Sequence, residues 1–190
     1  MTMETESRTA LREFIALLQE VDEHWCGEER NLHSEQDVAA SHRALMHIIE
    51  ASLVGYFEQD ASNPDFRRIV TPGRKLTGDN SDAIYFDAPL SPQHSYVING
   101  SMQGAVYFSL TIEEGAAEGH MAKKTAGVIN DADLEIDSNG DFTVYLGGEP
   151  RPGNWLPLSE GASRVTTRHY FEHPEPAAMD PRLEPRMRRE

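Results

Sequence analysis

The chain is 190 residues long and carries 32 Asp and Glu against 17 Lys and Arg, a formal net charge of −15. Nucleic-acid binders draw affinity from basic side chains that neutralise phosphates, and this balance is the reverse; 38% hydrophobic and 26% charged residues suit a globular chain of one to two domains. No window approaches the roughly 18 apolar residues of a membrane span, the start MTMETESRTA lacks a signal peptide's basic and apolar regions, and Cys26 is alone, so the expectation is a cytoplasmic protein without a disulfide framework or multi-cysteine metal site.

The first element is an amphipathic helix. Leu11, Phe14, Ile15, Leu18, Val21 and Trp25 recur at three- and four-residue intervals, which places them in one stripe of a 3.6-residue helix. Gly27 is expected to close it, because glycine tolerates the left-handed conformation of helix C-termini. A second helix starts at Ser34, where Ser-Glu-Gln-Asp resembles a capping box with Asp in place of Glu or Gln. Val38, Leu45, Ile48, Ile49, Leu53, Tyr56 and Phe57 form its apolar face. Residues 1–60 hold 13 acids and 4 bases, so this helical front is the most acidic part of the chain. Two such helices need an apolar partner, either the rest of the chain or another subunit.

Asn63-Pro64-Asp65 breaks the helix, and the apolar period then shifts to two. Val106, Phe108, Leu110 and Ile112 alternate with Tyr107, Ser109 and Thr111, as in a strand with one buried face. Phe142, Val144 and Leu146 repeat the pattern, Val165, Thr167 and Phe171 do so less cleanly, and shorter strands are expected at Ile84–Ala88 and Tyr96–Asn99. Asn99-Gly100 and Asn139-Gly140 read as tight turns, the second closing a hairpin over Leu134–Phe142. Many short strands with polar turns argue for an antiparallel sandwich or open barrel. The tail, with Pro174, Pro176, Pro181 and Pro185, lacks an apolar period and reads as extended or disordered.

Few constellations promise chemistry. Asp131, Asp133, Glu135, Asp137, Asn139 and Gly140 look like a calcium loop, but with Gly140 at the glycine position Leu146 stands where a bidentate Glu belongs. His42 and His47 are five apart, and His169 and His173 run into Pro174, so neither pair makes a helical zinc motif. His120, in a glycine-flanked segment, is a weak candidate for a general acid or base. No nucleophile elbow, Walker loop or dinucleotide fingerprint occurs, Cys26 reads as a packing residue, and neither metal nor cofactor is expected. The feature that stands out is a basic cluster, Arg67, Arg68, Arg74 and Lys75, followed by Gly78-Asp79-Asn80-Ser81-Asp82. Arginine's planar fork matches carboxylate or phosphate, so this loop either holds a small polar ligand or pins itself by internal ion pairs.

The run from Phe66 through Pro72-Gly73-Arg74-Lys75, Gly78-Asp79-Asn80-Ser81-Asp82 and Tyr85 resembles the bacterial domain-of-unknown-function family 1214. So do Tyr96–Gly100, Tyr107-Phe108-Ser109, Asn130-Asp131-Ala132-Asp133-Leu134-Glu135, Pro152-Gly153-Asn154-Trp155-Leu156 and Arg168–Phe171. The resemblance covers about residues 35–178, with departures at Ser81, where proline is usual, and His169. It implies a jelly-roll-like β-sandwich; with the helical and tail readings above, the expectation is an α+β, mainly β protein with an N-terminal two-helix hairpin (1–60) packed on an antiparallel β-sandwich (61–173), then the tail (174–190). It implies no established activity. Arg74, Lys75, Asp79, Asn80, Asp82, Tyr85, Asn154, Trp155 and Arg168 match its motif positions, as a ligand site or as structural signature.

Three functional expectations follow. The first is a binding module that holds a small polar or anionic metabolite at the sandwich mouth. The second is a small-molecule enzyme with Asp79 or Asp82 as general base and Arg74 or Arg168 stabilising negative charge. The third is a structural protein that forms a homo-oligomer through its N-terminal helices, with neither nucleic acid nor membrane as partner.

Overall fold

The computed structural model describes residues 3–116, 120–172 and 184–190. Among the described residues, two helices and nine strands in two sheets give a mainly β structure with an α+β character. It divides into two compact units, Met1–Ile49 and Glu50–Glu190, with the boundary inside the second helix.

Helix α1 runs Glu6–Trp25 and α2 runs Glu35–Tyr56. Thr5 caps α1, its hydroxyl accepting from the Arg8 N–H at 3.3 Å. The box at α2 forms reciprocally: the Asp37 N–H donates to Ser34 Oγ (3.1 Å), and the Ser34 N–H donates to Asp37 Oδ2 (3.0 Å). Gly27 does not close α1 in a left-handed conformation. Its backbone is extended, Cys26 is the C-cap, and a 3-10 turn over Glu28–Arg30 ends at left-handed Asn31 instead. Residues of the apolar stripe on α1 stay in contact with solvent: Leu11, Phe14, Ile15 and Trp25 are exposed, and no α1 residue is buried.

The first sheet has the order β1-β2-β8-β4-β5, from β1 (Arg67–Arg68), β2 (Ala83–Pro89), β8 (Ala162–Tyr170), β4 (Tyr107–Glu114) and β5 (Lys124–Asn130), all antiparallel. The second has the order β7-β6-β3-β9, from β7 (Trp155–Leu156), β6 (Asp141–Leu146), β3 (Tyr96–Ser101) and β9 (Arg186–Arg189), with β6 and β7 parallel. Both sheets feed one apolar cluster, with Ile84, Phe86, Phe108, Leu110, Ile112 and Val165 from the first and Tyr96, Ile98, Phe142, Val144 and Leu146 from the second. The alternation on β4 sends Phe108, Leu110 and Ile112 into this core and Tyr107, Ser109, Thr111 and Glu113 to the opposite face.

Two turn expectations are corrected. Asn99-Gly100 is not a turn but lies inside β3, where Gly100 pairs with Phe142. A Cβ on Gly100 would fall 2.5 Å from that ring, so glycine is there for close approach. Asn139-Gly140 does turn the chain, with Gly140 at φ 84° and the Asp137 carboxylate accepting from the Asn139 and Asp141 N–H groups at 2.8 and 2.9 Å. No hairpin precedes it, because residues 134–137 are not a strand and β6 pairs with β3 and β7. Of the tail, residues 186–189 form β9 and 173–183, including His173, lie outside the described residues.

Candidate functional site

The basic loop is spent largely on its own architecture. Arg74 is buried and donates from Nε to the Ile69 carbonyl (2.7 Å), from Nη1 to Glu50 Oε1 (2.8 Å) and from Nη2 to the Arg68 carbonyl (2.5 Å). Arg67 donates to the carbonyls of Val54, Phe57 and Glu58 at 3.0, 2.8 and 3.2 Å. These carbonyls lie in the last turn of α2 and just past it, where a positive charge also suits the helix dipole. Lys75 pairs with Asp79 at 2.7 Å, and that hydrogen bond holds the Asp79 carboxyl below the usual carboxylate range. Asn80 Oδ1 accepts from the Asp82 N–H (2.8 Å), an Asx-turn that leads into β2. The Asp82 carboxylate accepts from Ser81 Oγ at 3.2 Å.

The remaining sequence candidates make no hydrogen bond with that loop's arginine among the described residues. Asn154 is buried and staples two segments, accepting from the Glu135 N–H (2.7 Å) and donating to the carbonyls of Glu135 and Thr143 (3.0 Å each). Trp155 donates from Nε1 to the Gly147 carbonyl at 2.9 Å. His120 is exposed, and its carbonyl accepts from the Tyr56 hydroxyl at 3.3 Å. Tyr85 and Arg168, by contrast, come together as cross-strand partners, with Ser109 on the other side of Arg168.

That pairing builds a polar surface on the outer face of the five-stranded sheet. Strand register sets its rows: Tyr170 beside Tyr107, then Tyr85-Arg168-Ser109, then Asp87-Thr166-Thr111-Val128, then Arg164 beside Glu113. Tyr107, Ser109, Thr111, Val128, Arg168 and Tyr170 line a hollow of about 490 Å³. The Tyr107 and Tyr170 rings meet edge to face at 5.6 Å, giving it an aromatic end. Arg168 Nη1 donates to Thr111 Oγ1 at 3.3 Å, its one side-chain hydrogen bond among the described residues. Burial pushes the Tyr170 hydroxyl up, reinforced by its hydrogen bond with Tyr85. Burial also pushes the Glu113 carboxyl up, against the opposing pull of the Thr166 hydroxyl and the Arg168 charge. The face thus offers a half-buried guanidinium, several hydroxyls and a carboxyl whose pKa burial raises.

The far end of the same face is closed. Arg164 and Asp87 form a buried ion pair; Arg164 also donates to the Gly55 carbonyl (2.9 Å) and stacks over the Tyr56 ring at 4.2 Å. The last turn of α2 therefore covers this end, while among the described residues nothing covers the Arg168 end in the same way. A larger hollow of about 900 Å³ lies beside β3 and β6, but its charged lining is mostly acid: Glu135, Asp137, Asp141 and Glu184 with Arg186. The Asp137 carboxylate there is already committed to its turn.

Sequence reasoning missed Ser109, Thr111, Glu113, Thr166 and Tyr170 as site residues. The polar positions of β4 were visible in the alternation, but their neighbours on β8 follow from a pairing across more than fifty intervening residues.

Among curated proteins, none matches the chain. Its fold is similar to the crystal structure of an uncharacterized protein from Burkholderia cenocepacia, with a TM-score of 0.79 at 20% identity, over 97% of this chain and 50% of that one. The VPA0106 protein from Vibrio parahaemolyticus aligns at 18% identity over 100% of this chain and 47% of that one, but with a TM-score of 0.38 it adds nothing to the argument. The chain spans about half the length of both solved proteins. The family model described as "Protein of unknown function (DUF1214)" matches residues 80–175, from the Asn80 turn through β8, and the chain belongs to that family.

Proposed function

We propose that this DUF1214 protein is a β-sandwich binding module whose outer sheet face takes a small carboxylate-bearing metabolite, with Arg168 as the anion anchor. The observation that carries this reading is Arg168 itself, a guanidinium in a hollow of about 490 Å³ whose one side-chain hydrogen bond among the described residues is the contact with Thr111. Its remaining donors match a carboxylate bidentately, Ser109 and Thr111 supply neutral partners, and the Tyr107–Tyr170 pair supplies an apolar wall. The two-sheet architecture suits a jelly-roll-like arrangement, and cytoplasmic location fits the acidic composition.

The test is thermal stabilisation by a panel of mono- and dicarboxylates. A ligand at about 100 times its Kd adds about 2.7 kcal/mol to the native state. The wild type is expected to respond to at least one of them and Arg168→Ala to none, with Arg168→Lys recovering part. Equal responses from wild type and Arg168→Ala, or no response from the wild type, overturns the reading.

Glu113 favours a catalytic second reading. A carboxyl raised by burial on the Arg168 face suits general acid or base work better than Asp79, which Lys75 holds low. In that case turnover falls in Glu113→Gln while ligand binding persists.

A further inference from the structure

The helical unit, Met1–Ile49, contains a second cluster with chemistry of its own, far in sequence from the sheet face. Asp22 and Cys26 stand four residues apart at the end of α1, which places both on one side of the helix. His42 on α2 meets them: its Nε2 lies 2.7 Å from Asp22 Oδ1. The Cys26 sulfur lies 3.3 Å from Ser41 Oγ, next along α2. The carboxylate oxygen, the sulfur and the imidazole nitrogen all lie within 4.8 Å of one another.

We propose that Asp22, Cys26 and His42 form a binding site for a zinc-like divalent cation. A tetrahedral zinc shell with bonds of roughly 2.0–2.3 Å sets its ligand atoms about 3.3–3.6 Å apart, so small side-chain shifts bring these three into place. One sulfur, one nitrogen and one oxygen select a borderline-soft metal; magnesium and calcium want oxygen alone. The thiol is buried, while the Asp22 and His42 side chains are 62% and 46% exposed, so the site is closed beneath and open above. A cation enters from the open side, and water completes the shell there. The Ser41 hydroxyl stays beside the sulfur as its outer partner.

Two independent features favour a cation at this place. Residues 1–60 carry 13 acids against 4 bases, a field that concentrates cations around the hairpin. Moreover, α1 buries none of its residues, so little apolar packing holds it. A metal joining α1 to α2 supplies a cross-link where the core does not.

The absence of sequence motif is explained by geometry. Each ligand type occurs singly, and the third arrives from another helix, so no paired-cysteine or paired-histidine spacing announces the site.

Cobalt(II) titration of the full chain tests the assignment, because a thiolate–cobalt bond gives a near-ultraviolet charge-transfer band. The wild type is expected to develop that band to saturation at one equivalent and lose it on addition of zinc. Cys26→Ser is expected to abolish the band, and His42→Ala to weaken cobalt binding about tenfold or more. Far-ultraviolet circular dichroism checks that each variant keeps its helices, and Asp22→Asn replaces any that does not. Absence of the band in folded wild type, or an unchanged band in folded Cys26→Ser, overturns the proposal.

Discussion

Replacing His169 tests how this core manages a polar group. His169 sits on the inner face of β8 with no exposed surface, edge-on to Phe108 at 4.8 Å and Phe86 at 6.1 Å. Neither ring nitrogen has a hydrogen bond of ordinary geometry among the described residues; the nearby Ser101 backbone offsets burial only in part, and burial lowers the imidazole from 6.5 to about 4. Below its ordinary value, the unfolded chain therefore takes up a proton that the folded chain refuses. Stability contributed by the neutral ring is full above 6.5, falls as pH drops, and levels off below about 4. Between about pH 7.5 and about pH 4.5 the loss is roughly 2–3 kcal/mol. Glu113 works in the opposite sense, since its raised folded-state value lets the folded chain bind a proton first as pH falls. Wild type alone would show the sum; its difference from His169→Leu isolates the histidine. Urea unfolding followed by tryptophan fluorescence at fixed ionic strength, repeated across that pH range, gives the two profiles. His169→Leu is expected to match or exceed wild-type stability by about 1 kcal/mol at neutral pH, since it removes two unpaired polar atoms. It should lose roughly 2–3 kcal/mol less on acidification. Parallel profiles would refute the reasoning.

Two further substitutions probe contacts that hold the same unit together. Gly100→Ala places a methyl against the Phe142 ring, and is expected to cost roughly 1–3 kcal/mol by urea denaturation. The cost should shrink markedly in a Phe142→Leu background, and an unchanged cost there would show that the clash is not the cause. Asp87→Ala strands the buried Arg164 charge, with an expected loss of about 3–5 kcal/mol in the same assay. The double variant Asp87→Leu with Arg164→Met should recover most of that loss, because no unpaired charge then remains. A double variant as unstable as Asp87→Ala would show that the pair's contacts with α2, more than charge compensation, set the stability.

The legible part of the fold lies in segments whose burial repeats along the chain. β4 and β6 announce themselves because every second residue enters the core, and the second helix announces its start through Ser34 and Asp37. β5 and β9 gave no such signal. Lys124–Asn130 is mostly exposed and is a strand because β4 offers it an edge; Arg186–Arg189 is almost wholly charged and is a strand because β3 does. Propensity is a weak guide for strands that pack little and are held by backbone pairing. The expected Leu134–Phe142 hairpin fails for the related reason that a turn dipeptide fixes a local bend, not the partner of the strand that follows.

The candidate site divides in the same way. Family-like motifs drew notice to Arg74, Tyr85 and Arg168, and nothing in their spacing distinguishes an arginine spent on backbone carbonyls from one with donors to spare. What the sequence alone determined was the balance of charge, the helical front, the alternation that makes the rest β, and the identity of the family. Those properties are local, written in consecutive side chains and their period. Only the tertiary structure decided that β8 lies between β2 and β4, and hence that Arg168 stands between Tyr85 and Ser109 with Glu113 on the same face. It likewise decided that His169 enters the core and that His42 meets Asp22 and Cys26. Each depends on pairing between distant segments, and that pairing is chosen by the whole chain's burial and hydrogen bonding, not by any window of it.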